Sequence, residues 1–417
     1  MRVMNLDEIL SKAVGLGASD IHLKAGLAPI IRKNGQLLPL TNPTDICDPT
    51  MLKDIFFMMT SAHQRAHFEK HRELDLSYGV AGLGRFRVSV FQQRGSIRIV
   101  IRHLSHKIPL LDDLQLPQVI KKIAEYERGL VLVTGVTGSG KSTTLASMVD
   151  YINRNQSTHI ITIEDPIEYV IKDRKSLITQ RELGSDTNSF ASALRAALRQ
   201  DPDVILIGEM RDLETINIAI LAAETGHLVL STLHTSDATE TVNRILAAYP
   251  TMQQTQIRLQ LASSLKAIVC QRLAQKADGT GRVPAVEVMI NTSRTAEMIA
   301  DPNKTKNLIQ AIEEGHEHYE MQSFDQALMK LLSDKTITLS EAMKLSSQPE
   351  NFALRMRGVT SMDGKKWSKF DLNGSSEETA LAQKIELDLD HKKDEISDKR
   401  NDEKSGPLAK IKKIKSS

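Results

Sequence analysis

Residues Gly135-Val136-Thr137-Gly138-Ser139-Gly140-Lys141-Ser142, followed by Thr143, have the form G-x-x-x-x-G-K-[ST], and their flanks restrict how the segment can be built. Leu130-Val131-Leu132-Val133, just before it, is a short unbroken apolar run, the pattern of a strand buried on both faces. From Ser142 to about Asn153 the spacing predicts a helix. A strand, a glycine-rich turn and a helix start are the context this pattern requires. Such a turn aims backbone N–H groups and a helix N-terminus at one point, which favours bound phosphate. Gly138 and Gly140 let the backbone approach an anion closely and take positive φ. Lys141 would reach the β- and γ-phosphates, and the Ser142 hydroxyl would hold Mg²⁺. ATP with Mg²⁺ is the expected ligand.

The chain has 417 residues, which suggests two domains with additions. Its two cysteines, Cys47 and Cys270, cannot build a four-cysteine zinc site, and they read as reduced thiols of a cytosolic protein. No apolar run approaches the ~18–20 residues of a membrane span. The first eight residues lack the apolar core of a signal peptide. The expectation is a soluble intracellular chain with no integral membrane segment, able to dock on a membrane machine.

Leu6, Ile9, Leu10, Ala13 and Val14 fall at helical spacing, with Asn5 as N-cap and Glu8 placed to reach back. Ile30–Lys33, Asn34-Gly35 and Gln36–Leu38 read as a hairpin. A helical stretch over roughly Asp54 to Lys70 and two alternating runs, Arg85 to Phe91 and Ser96 to Arg102, complete a small α+β domain with an antiparallel sheet, residues 1–105. A linker with Pro109 and Pro117, residues 106–128, follows. From Gly129 the pattern becomes α/β. Leu130–Val133, Ile160–Ile163, Val204–Ile207 and Leu228–Ser231 are buried strand candidates alternating with helices, so a mostly parallel sheet is predicted for residues 129–290. Helices are expected over 303–314, 324–333 and 339–345, within a helical region 291–359. Residues 360–417 are polar, dense in both charge signs, and read as a disordered tail. Glu377 to Leu389 could form a short helix on a partner, and Lys410 to Lys415 could touch anionic lipid or an acidic partner.

Ligands of open parallel sheets bind at the carboxyl ends of the strands. The segments Ile163-Glu164-Asp165-Pro166, Gly208-Glu209-Met210-Arg211 and Leu233-His234-Thr235 all leave strands at that edge, as does the glycine-rich turn. Two carboxylates and an imidazole are thereby expected to converge on the nucleotide, as NTP hydrolysis requires. Glu209 ends an apolar run and is the first choice for polarising the attacking water. Gly208 stands where a Walker B Asp is usual, so Mg²⁺ would rest on Ser142, phosphates and water. Glu164 is the second carboxylate, acting at Mg²⁺ or at the nucleophile. His227 and His234 have no third partner at metal-ligand spacing. Hydrogen bonding to the γ-phosphate or to a catalytic Glu is the functional reading for His234 and for His227, the alternative for both being a satisfied core histidine.

Ile161-Thr162-Ile163-Glu164-Asp165-Pro166-Ile167-Glu168 resembles the "Asp box" of secretion ATPases. Asp201 to Asp212 resembles their Walker B segment, and Ala223-Glu224-Thr225-Gly226-His227 through His234 their "His box". Gly17-Ala18-Ser19-Asp20-Ile21-His22-Leu23 resembles a signature of their N-terminal domain. Over about residues 5 to 359 the chain resembles the PilT/PilU group of type IV pilus retraction ATPases. That resemblance implies a PAS-like N-terminal domain, a RecA-like ATPase domain and a ring-shaped homohexamer. It implies work on an inner-membrane pilus platform protein, at the cytoplasmic face, and possible pairing with a paralogous retraction ATPase. It also implies arginines of the N-terminal domain near the phosphates: Arg87, Arg98 and Arg102 are the candidates. In Ile97–Arg102 alternation sets Arg98, Val100 and Arg102 on one face and three isoleucines on the other. Arg98 and Arg102 would sit ~13 Å apart, too far to share one phosphate. The family carries an Ala-Ile-Arg-Ala-Gly-Glu-like segment that Ser293–Ile299 matches poorly, while Met321–Leu328 resembles either branch with some lean to PilU, so an accessory motor is an alternative to the principal one.

Three other functions are open. Assembly and type II secretion ATPases usually add an N-terminal domain and a four-cysteine zinc loop, which this chain cannot supply. A nucleic-acid translocase would need stacking aromatics, yet aromatics are 4% and the one tryptophan, Trp367, lies in the tail. A non-hydrolysing scaffold would have no need of both Glu209 and Glu164.

Overall fold

The computed structural model describes residues 5–33, 35–104 and 108–356. The tail 360–417, with both of its expected contact segments, lies outside the described residues. Helix α1 (Leu6–Gly15) starts where predicted: the Asn5 side chain accepts the Glu8 N–H at 2.8 Å, satisfying one of the free donors of the first turn. Strands β1 (Asp20–Lys24), β2 (Ile30–Lys33) and β3 (Gln36–Pro39) follow. β2 and β3 form the expected hairpin, with Lys33 opposite Gln36. The helix expected over 54–70 is instead two, α2 (Pro49–Met59) and α3 (Ala62–His71). Thr60 is extended and its hydroxyl turns back to the Phe56 carbonyl at 2.6 Å. Ser61 then opens α3 with a reciprocal capping box to Gln64. Such local bonds compete with continuing the helix.

β4 (Glu73–Val80), β5 (Gly84–Gln93) and β6 (Ser96–Leu104) complete a sheet of order β3-β2-β1-β6-β5-β4, antiparallel throughout. One face carries the core: Ile21, Leu23, Val88, Val90, Ile99 and Ile101 pack with Leu6, Ile9 and Leu10 of α1 and Leu52, Ile55 and Phe56 of α2. The predicted alternation in β6 holds, so its arginines lie on the opposite face.

After α4 (Val119–Ala124), a second sheet is built from β7 (Gly129–Thr134), β8 (His159–Glu164), β9 (Leu177–Glu182), β10 (Val204–Ile207), β11 (Leu228–Leu233), β12 (Leu265–Gln275) and β13 (Arg282–Ile290), in the order β13-β12-β7-β11-β10-β8-β9. The pairings β12·β7, β7·β11, β11·β10, β10·β8 and β8·β9 are parallel. The mostly parallel sheet is confirmed, and the four predicted strands are its centre. β9, β12 and β13 extend it beyond the prediction. Between the strands run α5 (Lys141–Asn155), α6 (Phe190–Ala197), α7 (Leu213–Glu224), α8 (Ala238–Ala247) and α9 (Thr251–Ser264). Val131, Val133, Val204, Leu206, Leu228 and Leu230 pack on one face against Leu145, Met148, Val149 and Ile152 of α5. Leu130, Leu132, Ile205, Ile207 and Val229 on the other face are equally buried, which is why these strands read as unbroken apolar runs.

The start of α8 is tied down by Glu287 of β13, a carboxylate only 1% exposed that accepts the Ala238 N–H at 2.8 Å. Burial raises its pKa from 4.5 to about 7. A carboxyl raised in the folded state contributes its full stability below its unfolded pKa, and this is lost as pH rises through the folded value. Glu287→Gln keeps an acceptor without a charge. The melting temperature of this variant relative to the parent is therefore expected to rise between about pH 5 and about pH 8. A difference that stays constant with pH in thermal unfolding would contradict this.

Helices α10 (Ser293–Ala300), α11 (Leu308–Glu314) and α12 (His316–Tyr319) come next; residues Thr305–Asn307, inside the expected 303–314 helix, are a 3₁₀ turn. A second compact unit comprises 274–282 and the chain from Phe324. Within it α13 (Phe324–Ser333), α14 (Leu339–Leu345) and α15 (Pro349–Met356) are held by bonds such as Ser346 Oγ to Asp325 Oδ1 at 2.8 Å and Gln275 N to Glu341 Oε1 at 3.0 Å. Among the described residues no helix is long and apolar enough to cross a membrane.

Candidate active site

The turn from β7 to α5 has the strained backbone its glycines were expected to permit. Gly135, Gly138 and Gly140 have φ of 142°, 80° and 96°. A Cβ on Gly135 would stand 2.4 Å from the Gln271 carbonyl oxygen, so no other residue fits there. At Gly138 and Gly140 the Cβ direction is open, leaving the backbone accessible to an anion. The Lys141 ammonium is folded over the turn, donating to the carbonyls of Gly135 at 2.8 Å and Val136 at 3.0 Å. Burial lowers its pKa, and Glu209 and Glu168 pull it back. Ser139 Oγ is buried without a hydrogen-bond partner, and Ser142 is exposed in the first turn of α5. Thr143 Oγ1 lies 3.1 Å from the Tyr169 hydroxyl.

These residues border a cavity of about 340 Å³ whose opposite wall carries Glu164, Glu168, Glu209, Arg211, His234 and Arg87. The convergence predicted from strand ends is present, because β8, β10, β11 and β7 run parallel and in register. Glu209 has a side chain 19% exposed; its Oε2 accepts Arg211 Nε at 2.7 Å and its Oε1 lies 3.4 Å from His234 Nε2. Glu164 Oε1 accepts Thr162 Oγ1 at 2.7 Å and Gln180 Nε2 at 3.0 Å. Burial pushes the Glu164 pKa up, against these two hydrogen bonds.

The other site residues divide. Arg87 reaches the cavity. Arg98 and Arg102 are not in its lining: Arg102 Nε pairs with Asp20 Oδ1 at 2.9 Å, and the Arg98 guanidinium lies 5.7 Å from the Phe91 ring centre. Their strand, β6, is one step further from the sheet edge than β5, so these arginines are carried away from the phosphate turn. His227 calls for a correction. It precedes β11 whereas His234 follows it, so the two sit at opposite edges of the sheet, ~20 Å apart along a six-residue strand. His227 Nδ1 is 3.0 Å from the Ala222 carbonyl, and the His227 carbonyl accepts the Gly129 N–H at 2.9 Å. Within this chain it ties α7 to β11 and β7 and is not in the cavity lining.

Glu168, Tyr169, Arg211, Phe190 and Thr232 also line the cavity and were not singled out from the sequence. Glu168 and Arg211 could have been found by extending the strand-end argument a few residues into each loop. Phe190 opens α6 and carries no such signal.

A phosphate turn on a parallel sheet, facing two carboxylates and a histidine across one cavity, defines a P-loop NTPase. A family model described as type II/IV secretion system protein matches residues 2–362. The chain is 42% identical over 349 residues to the type IV pilus retractation ATPase PilT of Pseudomonas aeruginosa PAO1, covering 84% of this chain and 100% of that protein. It is 39% identical over 357 residues to the type IV pilus ATPase PilU of the same strain, covering 85% and 92%. A crystal structure of the pilus retraction motor PilT with bound ADP superposes with a TM-score of 0.77 at 46% identity, over 84% of this chain and 98% of that one. The chain belongs to the secretion ATPase family, in its PilT/PilU branch of type IV pilus retraction ATPases, and is a nucleotide-binding ATPase.

Proposed function

We propose that this protein is an ATP-hydrolysing motor that withdraws type IV pili, working as a homohexamer on an inner-membrane platform protein. The observation that carries the reading is the single cavity in which Lys141, Glu209, Glu164, His234 and Arg87 meet. ATP occupies it with its β- and γ-phosphates on the backbone of 135–142 and on Lys141. Glu209, held by Arg211 and near His234, orients the attacking water. Glu164 assists from the neighbouring strand, and Arg87 neutralises charge developing on the γ-phosphate. The donor set fits a hydrated Mg²⁺, with the exposed Ser142 hydroxyl as its protein ligand and the carboxylates of Glu164 and Glu209, in the lining of the same cavity, acting through water. Bound there, the cation would supply charge neutralisation of the phosphates. Residues 1–105 act as a cap over the nucleotide and 129–290 as the ATPase core, and hydrolysis moves one against the other.

Retraction is favoured over assembly or secretion by the cysteines. There are two in the chain, both buried and free, so a four-cysteine zinc loop cannot form. Deleting the gene and imaging surface fibres tests the direction. Persistent, excess fibres are expected; bald cells would assign the motor to assembly instead. Whether it is the principal or an accessory motor is read by the same assay in a strain lacking any paralogue.

A further inference from the structure

Glu182, the last residue of the edge strand β9, is a carboxylate that nothing in the reaction outlined above uses. Its side chain is 3% exposed. It faces the Arg85 guanidinium as an ion pair and accepts Ser77 Oγ at 3.0 Å and the Ile167 N–H at 3.2 Å. These three partners come from three places: β5 and β4 of the first sheet, and the loop that follows Glu164.

Two registers make the arrangement consequential. Glu182 lies directly opposite Glu164 in the β8·β9 pairing, and the Leu183 N–H donates to the Glu164 carbonyl at 2.9 Å. In the β4·β5 pairing Ser77 lies opposite Arg87. Arg85 and Arg87, two residues apart on one strand, share a face. Glu182 thus grips the residue two before Arg87 and the residue across from it. The same carboxylate holds a backbone N–H of the loop carrying Glu164. Ser185 Oγ adds a longer bond to the other oxygen at 3.5 Å, and a buried anion with a charged partner and such hydrogen bonds has one low-energy geometry, because any departure leaves a charge unpaired away from water.

We propose that Glu182 is a positioning residue that couples the N-terminal sheet to the catalytic loop: it sets Arg87 over the phosphates and fixes the 164–168 loop, so that movement of one sheet is felt by the other. This rests on the reading of the cavity as an ATPase centre. Removing the charge at constant shape loosens both attachments without touching the phosphate turn.

The test is steady-state ATP turnover and equilibrium nucleotide binding by the full-length chain carrying Glu182→Gln, alone and with Arg87→Ala. Turnover is expected to fall ~10-fold, with ATP affinity within ~3-fold of the parent. Arg87→Ala should cost ~10-fold in the parent background but under ~2-fold in the Glu182→Gln background, since the arginine is already misplaced. Ser77→Ala, a milder change, should show the same split at smaller size. Parental turnover in Glu182→Gln, equal costs of Arg87→Ala in both backgrounds, or affinity falling in step with turnover would each overturn the coupling. A parent that binds nucleotide but never hydrolyses it would overturn the ATPase reading and the coupling together.

Discussion

Glu209→Gln is expected to bind ATP normally and to hydrolyse it at least ~10²-fold more slowly, a loss of ~2.7 kcal/mol of transition-state stabilisation. The carboxylate stands at the end of the fully buried β10, in the wall of the cavity opposite the phosphate turn. Arg211 Nε at 2.7 Å holds one of its oxygens before any substrate arrives, and the other lies 3.4 Å from His234 Nε2. A glutamine occupies the same volume, but its amide end cannot accept from both neighbours or polarise water as an anion does. Single-turnover and steady-state rates measured beside nucleotide affinity check this. Unchanged turnover would transfer the role to Glu164, which accepts Thr162 and Gln180 and whose pKa burial raises.

Lys141→Ala is expected to act one step earlier, on binding itself. Lys141 is 8% exposed at the head of α5 and lines the cavity from the phosphate turn. Its bonds to the Gly135 and Val136 carbonyls hold it within the turn, from which it can swing to an arriving phosphate. Truncation removes a charge-assisted contact to two phosphates and takes away a cation that Glu209 and Glu168 feel across the cavity, although Arg211 still pairs with Glu209. ATP affinity should fall ~10²-fold or more, about 2.7 kcal/mol, with turnover falling in parallel. Titration calorimetry measures the affinity, and thermal unfolding of the free variant shows whether the turn survives without its two lysine bonds. Normal affinity would contradict the assignment of the turn. The contrast between the two variants, one losing rate and the other losing binding, separates catalytic from anchoring roles in the same cavity.

The reaction centre was largely legible before any coordinates because its parts sit where strands end. Val204–Ile207 and Leu228–Ser231 are unbroken apolar runs, and a polar residue following such a run in a parallel sheet must emerge at the ligand edge. That is why Glu209, Glu164 and His234 could be placed together although they are up to 70 positions apart. The same rule, applied at the correct end, would have set His227 aside, since it precedes its strand. The arginines show the limit of alternation: it gave the shared face of Arg98 and Arg102, and the structure keeps that face, but only the strand order β6-β5-β4 says that Arg87 lies nearer the edge and reaches the cavity.

The missed strands have physical causes. β9 runs Leu177-Ile178-Thr179-Gln180-Arg181-Glu182, with too few apolar residues to announce itself, because an edge strand has a neighbour on one side only. β12 follows α9 without a break at Ser264–Leu265, so its apolar residues merged with the helical pattern. The split between α2 and α3 turns on bonds from Thr60 and Ser61 that a spacing count does not register.

Local chemistry along the chain determined the phosphate turn, its flanking strand and helix, and the polar residues bound for one edge, because backbone sterics and burial of apolar runs act over a few neighbours. Only the tertiary structure decided which arginine faces the cavity and that Glu182 joins three segments, because a buried carboxylate finds its partners through the crossing of sheets, and that crossing has no counterpart in the order of residues.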